Sequence, residues 1–336
     1  MRWSPGAELA VRWWSGRMGA AGALLDAITV PLEWTYRALV ASRNMAYDRG
    51  LLRTHTVPAP VISVGNLSVG GTGKTPVAAW LLRELQLRGR RPALLHGGYA
   101  DDEPELHRRW SPGVPVVADR DRVAAAAAAL EAGADVLVLD DGFQHRRLAR
   151  DLDLLLVSCE SWDGRRRLLP RGGWREPPGN AARASLIAIT RRTSATARAE
   201  RVAAELARFA PGVPQVMLWL APAGWRHAGA TAPPPAERAL AVAAVADPWS
   251  FVDNARAAGA VIHDRQWWRD HHRYEERDAS QMLARAGSGP IVTTEKDWVK
   301  LERLLPSARV WILVQEVRVE AGAAELGQAL DRVLRT

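Results

Sequence analysis

One run of residues carries the densest chemistry in this sequence: Gly65-Asn66-Leu67-Ser68-Val69-Gly70-Gly71-Thr72-Gly73-Lys74-Thr75. Glycines at this density let backbone N–H groups curl around phosphate oxygens, and a following helix N-terminus adds partial positive charge. Lys74 is spaced to reach the β- and γ-phosphates of a nucleotide, and Thr75 to bind Mg²⁺. The first glycine of the usual G-x-x-x-x-G-K-[ST] pattern is Ser68 here. The expected cradle is therefore Ser68, Val69, Gly70, Gly71, Thr72, Gly73, Lys74 and Thr75. A plain glycine-rich turn is the competing reading; Gly-Lys-Thr between a strand and a helix weighs against it.

A second cluster, Asp140-Asp141-Gly142-Phe143-Gln144-His145, follows an apolar stretch. Taken alone, adjacent aspartates fit a turn or a helix cap as well as a metal site. With a phosphate loop upstream, Asp140 and Asp141 become expected Mg²⁺ partners, and Glu103 a further one. Among 45 basic residues, only Lys74, Lys296 and Lys300 are lysine. Arginine replaces lysine freely as a generic surface charge but not as a compact ammonium in a tight site, which makes each surviving lysine informative.

The elements that must position these groups are apolar strands alternating with helices. Strands are expected at 60–65, 92–95, 135–139, 152–157 and 186–190, with helices at 75–87 and 122–132. A parallel sheet covered on both faces follows from that alternation, with ligands at the carboxyl ends of its strands. The Pro-rich stretch 221–238 reads as a linker. Beyond it, strands at 240–245, 291–293 and 310–314 and helices at 249–258 and 321–334 form a second α/β pattern. The expected class is α/β: a P-loop NTPase-like parallel sheet flanked by helices, with a second, smaller α/β domain. The expected divisions are an N-terminal amphipathic segment (1–54), a nucleotide-binding kinase domain (55–221), a linker (222–237) and a C-terminal domain (238–336).

The motif set resembles one family, the tetraacyldisaccharide 4'-kinases of lipid A biosynthesis. The resemblance rests on Ser63 to Pro76 with its Ser68 variant, Asp102-Glu103-Pro104, Asp121-Arg122-Val123 and Asp140 to His145. It continues through Leu168-Leu169-Pro170, Arg175-Glu176-Pro177, Asp270-His271-His272 and Thr294-Glu295-Lys296-Asp297 with Lys300. It implies ATP- and Mg²⁺-dependent phosphorylation of a sugar 4'-hydroxyl on an acylated disaccharide phosphate lipid. It also implies Asp102 as general base paired to His271, with Lys74, Arg122, Arg175 and Glu176 near the reacting phosphates. Asp101 is a rival for the base. Where the family pattern has Ser-Arg-Gly-Tyr-Gly, this chain reads His96-Gly97-Gly98-Tyr99-Ala100, and the segment leading to Asp102 is short. A P-loop regulator and a non-catalytic paralogue are the alternative readings. The guanine signature Asn-Lys-x-Asp is missing: Lys296-Asp297 follows Thr-Glu.

Composition bounds the rest. A single cysteine, Cys159, excludes a disulfide framework and a cysteine-based zinc site. No run reaches the roughly 18 apolar residues of a membrane span. The net charge of +8 invites an anionic partner. Trp3, Trp13, Trp14 and Trp34, set among arginines, point to an anionic membrane surface and not to nucleic acid. A helix over 31–47 would carry a polar stripe of Glu33, Arg37 and Asn44 and an apolar face of Leu32, Tyr36, Leu39, Val40 and Tyr47, interrupted by Arg43; a core-packed helix would show the same pattern. The resulting expectation is a monomer attached peripherally to the cytoplasmic face of the inner membrane.

Overall fold

The computed structural model describes residues 13–14, 18–98, 102–162 and 166–335. Trp3, Tyr99 and Asp101 lie outside the described residues. After the helical pair Trp13 and Trp14, the first helices with described bounds are Gly19–Ile28 (α1) and Val30–Asp48 (α2). The phosphate-loop half follows: Val61–Asn66 (β1), Lys74–Leu87 (α3), Pro92–His96 (β2), Asp102–Trp110 (α4), Val116–Ala118 (β3), Arg122–Glu131 (α5), Val136–Asp140 (β4), Leu152–Ser158 (β5), Leu186–Arg191 (β6) and Thr196–Phe209 (α6). Strands β1, β2, β4 and β5 are buried along their whole length, which is why they read as unbroken apolar runs.

The rest comprises Gln215–His227 (β7), Ala230–Ala232 (β8), Ala239–Ala243 (β9), Pro248–Ala257 (α7), Ile262–Trp267 (β10), Glu276–Ala286 (α8), Ile291–Thr294 (β11), Glu295–Leu301 (α9), Val310–Ala321 (β12) and Ala323–Leu334 (α10). All main strands join one sheet in the order β10-β9-β11-β12-β7-β6-β5-β1-β4-β2-β3, with β8 paired to β7. Pairing is parallel except where β12 and β8 meet β7. The sheet therefore consists of two parallel halves fused along one antiparallel seam.

Much of the stretch expected to be a linker is strand instead, with β7 running to His227 and β8 over Ala230–Ala232, while 233–238 stays outside the strands. Its proline and glycine signals mark an irregularity in the seam: the register shifts between Val314 and Gln315, opposite Gly224 (φ 121°) and Pro222. That irregularity sits where the halves meet. Strand β6 ends with Arg191 opposite Trp219, and β11 ends with Thr294 opposite Leu313, which itself pairs with Trp225. The carboxyl ends of both halves thus converge on the middle of the seam. Helix α10 also departs from the expected grouping. Its Leu326 and Leu330 pack into the phosphate-loop core with Ile62, Val77 and Leu81.

Helix α2 forms where expected, but its inward side runs along the border of the two stripes: Tyr36, Val40 and Tyr47 are partly buried beside Glu33 and Asn44, and Arg37 is exposed. Glu33 and Asn44 of the polar stripe are buried, while Leu32 and Leu39 are 55% and 64% exposed. Glu33 accepts a hydrogen bond from Leu168 N (2.9 Å) and pairs with Arg171 (3.1 Å). Asn44 donates to Glu176 (2.9 Å). The buried carboxylate is satisfied by partners of opposite charge, as such burial requires.

Candidate active site

The phosphate loop is braced from three sides. A Cβ on Gly65 would lie 2.6 Å from the Phe143 backbone N, so only glycine lets β1 end against the Asp-Asp-Gly-Phe turn. Gly73 opens α3 at φ 90°, in the left-handed region. Asn66 donates to Thr72 Oγ1 (2.9 Å), Thr190 donates to Thr72 O (2.8 Å), and Arg192 donates to Gly71 O (2.7 Å). On the far side Val69 N donates to Gly173 O (2.6 Å), and Ser68 bridges to Trp174. Val69 to Thr75 line a cavity of about 840 Å³; Ser68 faces away from it.

The two aspartates at the end of β4 have separate partners. Asp141, at φ 57°, takes both oxygens to Arg175 Nη1 (2.8 and 2.9 Å) and lies 3.7 Å from Lys74 Nζ. Burial opposes its ionisation, but the Lys74 and Arg175 charges hold its pKa below the usual value. Asp140 is buried and meets His107 Nε2 at 3.3 Å. One ligand atom each from Asp140, Glu103 and His96 lies within 4.8 Å of the others. Thr75 Oγ1 is 3.3 Å from Glu103 Oε1.

Asp102 and His271 come together from opposite halves, Asp102 Oδ1 to His271 Nδ1 at 3.0 Å. Lys300 Nζ meets the other Asp102 oxygen at 3.3 Å. Lys296 Nζ contacts Asp270 (3.1 Å), His271 Nε2 (3.2 Å) and Glu103 (3.3 Å). Burial pushes the Asp102 carboxyl up, but the His271 hydrogen bond and the two lysine charges win and bring it to about 2. The same hydrogen bond raises His271 above its ordinary value, against burial and the Lys296 charge. His271 (φ 58°) lines the cavity, whereas Asp102 stands behind it.

The remaining expected residues divide. Arg122 lines the cavity while donating to Asp119 O (2.5 Å) and Asp140 O (3.4 Å). Glu176 is buried outside the cavity wall, where it accepts from Asn44, Gln144 (3.1 Å), Asn180 (2.6 Å) and Arg183 (2.6 Å). Its place is in the knot beneath Arg175, whose side chain does reach the cavity.

The model of the tetraacyldisaccharide-1-P 4'-kinase family matches residues 25–102 and 100–335. The chain belongs to this family. A tetraacyldisaccharide 4'-kinase of Anaeromyxobacter dehalogenans (strain 2CP-C) is 38% identical over 96% of this chain and 93% of its own. That of Geobacter sulfurreducens is 38% identical over 94% and 96%. A crystal structure of LpxK from Aquifex aeolicus in complex with ATP superimposes with a TM-score of 0.74 at 28% identity, over 92% of this chain and 99% of that one. The present chain is accordingly a kinase of lipid A synthesis that phosphorylates the 4' position of tetraacyldisaccharide 1-phosphate.

Several residues of the kinase site escaped the sequence reading. His96 was noticed only as a departure from the family pattern, yet it contacts Glu103 at 3.1 Å. His107 stands four residues after Glu103, one helical turn on, a spacing that becomes informative only once α4 is expected. Arg192 carries no signal in a chain this rich in arginine. Lys300 was noted for its rarity, and its rank as a direct partner of Asp102 came from the fold.

Proposed function

We propose that Asp102, oriented by His271, is the general base of this ATP-dependent kinase. Asp102 accepts the proton of the sugar 4'-hydroxyl as that oxygen bonds to the γ-phosphorus and the bond to the β–γ bridging oxygen breaks, releasing ADP. The observation that carries this reading is the 3.0 Å Asp102–His271 contact at the phosphate-loop cavity. Phosphoryl transfer is mostly positioning and charge stabilisation around a single acceptor for the nucleophile's proton. Lys74 holds the β- and γ-phosphates. Arg122 and Arg175 face the same cavity with planar donor pairs suited to phosphate oxygens.

The residues present fit a Mg²⁺ ion. Thr75, Glu103 and Asp140 would hold it through hard oxygen atoms, and the 4.8 Å clustering supports the placement of the two carboxylates. Bound there, Mg²⁺ neutralises charge on the transferring phosphates.

A second reading reverses the dyad: His271 takes the proton and Asp102 orients it. The favouring observation is that His271, not Asp102, lines the cavity. The pH dependence of kcat/KM separates the two. With Asp102 as base, the rate shows no acid limb near neutrality, and Asp102→Asn loses about 10²–10⁴-fold in turnover with nucleotide binding kept. An acid limb above pH 6.5 that vanishes in His271→Gln would establish the reversed dyad instead.

The kinase is further proposed to act as a monomer docked on the cytoplasmic face of the inner membrane. No helix among the described residues is long and apolar enough to cross a membrane. Leu24, Ile28, Leu32, Trp34, Leu39 and Leu51 nevertheless stand exposed on and just after α1 and α2. An apolar surface of this kind beside arginines suits an anionic lipid interface, where the substrate resides.

A further inference from the structure

We infer that His96 and His107 are positioning residues for the divalent cation, each donating an imidazole N–H to one of the two carboxylates that hold it. The inference rests on the proposed cradle of Thr75, Glu103 and Asp140.

The hydrogen-bond directions carry the argument. Gly98 N donates to His96 Nδ1 at 3.1 Å, so Nδ1 is the acceptor and the ring hydrogen sits on Nε2. That Nε2–H points at Glu103 Oε2, 3.1 Å away. A nitrogen bearing hydrogen has no lone pair for a metal. His96 therefore belongs to the cluster as a donor and not as a ligand. His107 Nε2 faces Asp140 Oδ2 at 3.3 Å, and an ionised carboxylate only accepts, so this nitrogen also carries its hydrogen. His107 is fully buried, and its Nδ1 has no hydrogen-bond partner among the described residues. Among the described residues Asp140 is the one hydrogen-bond partner of that ring, with Trp110 edge-on at 6.1 Å.

Each carboxylate needs such a hold. Glu103 Oε1 lies 3.3 Å from both Thr75 Oγ1 and Lys296 Nζ, and 3.8 Å from His271 Nε2. Without a donor on Oε2, the Lys296 ammonium would draw the whole carboxylate away from Thr75. The His96 bond pins one oxygen and leaves the other beside Thr75. Asp140 caps a buried strand end, and His107 fixes its side-chain rotation in the same way. Glu103 and His107 share one face of α4 at i, i+4 spacing, so this short helix sets one cation carboxylate and the orienting partner of the other. Outer partners of ligating groups typically govern affinity by about 10–100-fold.

The test uses the full chain with ATP and Mn²⁺ as the probe, with free Mn²⁺ followed by electron paramagnetic resonance. His96→Ala and His107→Leu are expected to weaken Mn²⁺ binding about 10–100-fold while metal-free nucleotide binding stays unchanged. His107→Gln, which keeps an N–H donor, should restore most of the affinity. If His107→Leu does not fold, His96→Ala decides the matter alone. Wild-type Mn²⁺ affinity in both variants overturns the inference. So does a ¹⁴N coupling to bound Mn²⁺ that disappears in His96→Ala, because it means direct ligation. Glu103→Gln and Asp140→Asn separate the two levels. If these lose Mn²⁺ while the histidine variants keep it, only the present inference falls; if they also keep it, the cradle falls with it.

Discussion

Lys74 and Asp102 show how single charges are held ready in this site. Lys74 Nζ rests 3.7 Å from Asp141, whose oxygens are already taken by Arg175, so the ammonium can transfer to a phosphate without leaving an unpaired carboxylate. Lys74→Ala is expected to lower kcat by about 10²–10³-fold, the scale of losing one charge-stabilising donor, measured as γ-phosphate transfer to the disaccharide. Asp102 titrates at about 2 instead of 3.8, because its His271 bond and the lysine charges outweigh burial. A depressed carboxylate contributes stability above its unfolded pKa and loses it as pH falls through the folded one. The contribution is about 2 kcal/mol at neutral pH, fading between roughly pH 4 and pH 2. His271 is raised, so its share is complete below its unfolded value of 6.5 and fades as pH climbs through the folded value. Urea unfolding should therefore show a larger penalty for Asp102→Asn at pH 6 than at pH 3; equal penalties would contradict the pairing. Lysine scarcity made Lys74, Lys296 and Lys300 legible in the sequence. The partnership of Lys300 with Asp102 was not, because those residues meet only across the seam.

At the scale of elements, continuous apolar strands and the loop after β1 were readable because burial on both faces leaves an unbroken pattern. Helix α4 was not, because an aspartate shortly before a proline suits a turn as well as a helix start. In the fold, Asp102, Glu103 and Glu105 occupy its first turn and His107, Arg108 and Arg109 its last, matching the helix dipole at both ends. Helix α2 was readable in position but not in orientation. Periodicity separates a polar stripe from an apolar one without saying which faces the protein, and here Glu33 and Asn44 face inward. This mixed inward face yields opposite expectations for adjacent residues. Glu33→Ala strands Leu168 N and leaves Arg171 with Asp26 at 3.9 Å as its remaining acidic partner, and should cost about 3 kcal/mol, read by chemical denaturation. Leu32→Asp and Trp34→Asp should leave unfolding within about 0.5 kcal/mol of wild type while reducing partition to anionic vesicles. Unchanged partition in the double variant would remove α2 from the membrane contact.

The molecule as a whole turns on the antiparallel pairing of β7 with β12. No local pattern announces that pairing, since strand direction depends on which distant segment becomes the neighbour. The proline and glycine of 221–224 were visible, but a seam irregularity and a linker share that composition. The consequence is mechanical. The phosphate loop, Glu103 and Asp141 reach the cavity from one half, and Asp247, His271 and Lys296 from the other. The halves share an unbroken sheet, and α10 returns from the C-terminal side into the phosphate-loop core. Two domains joined by a flexible linker would melt separately. One sheet with an interleaved helix should melt as a single cooperative transition, and calorimetry should find one peak. ATP with Mg²⁺ at about 100 times its Kd should stabilise that whole transition by about 2.7 kcal/mol. Lys74→Ala should diminish the gain without splitting the peak. Two peaks, with only one moved by nucleotide, would mean that the halves are energetically independent and that the seam does not transmit binding from one to the other.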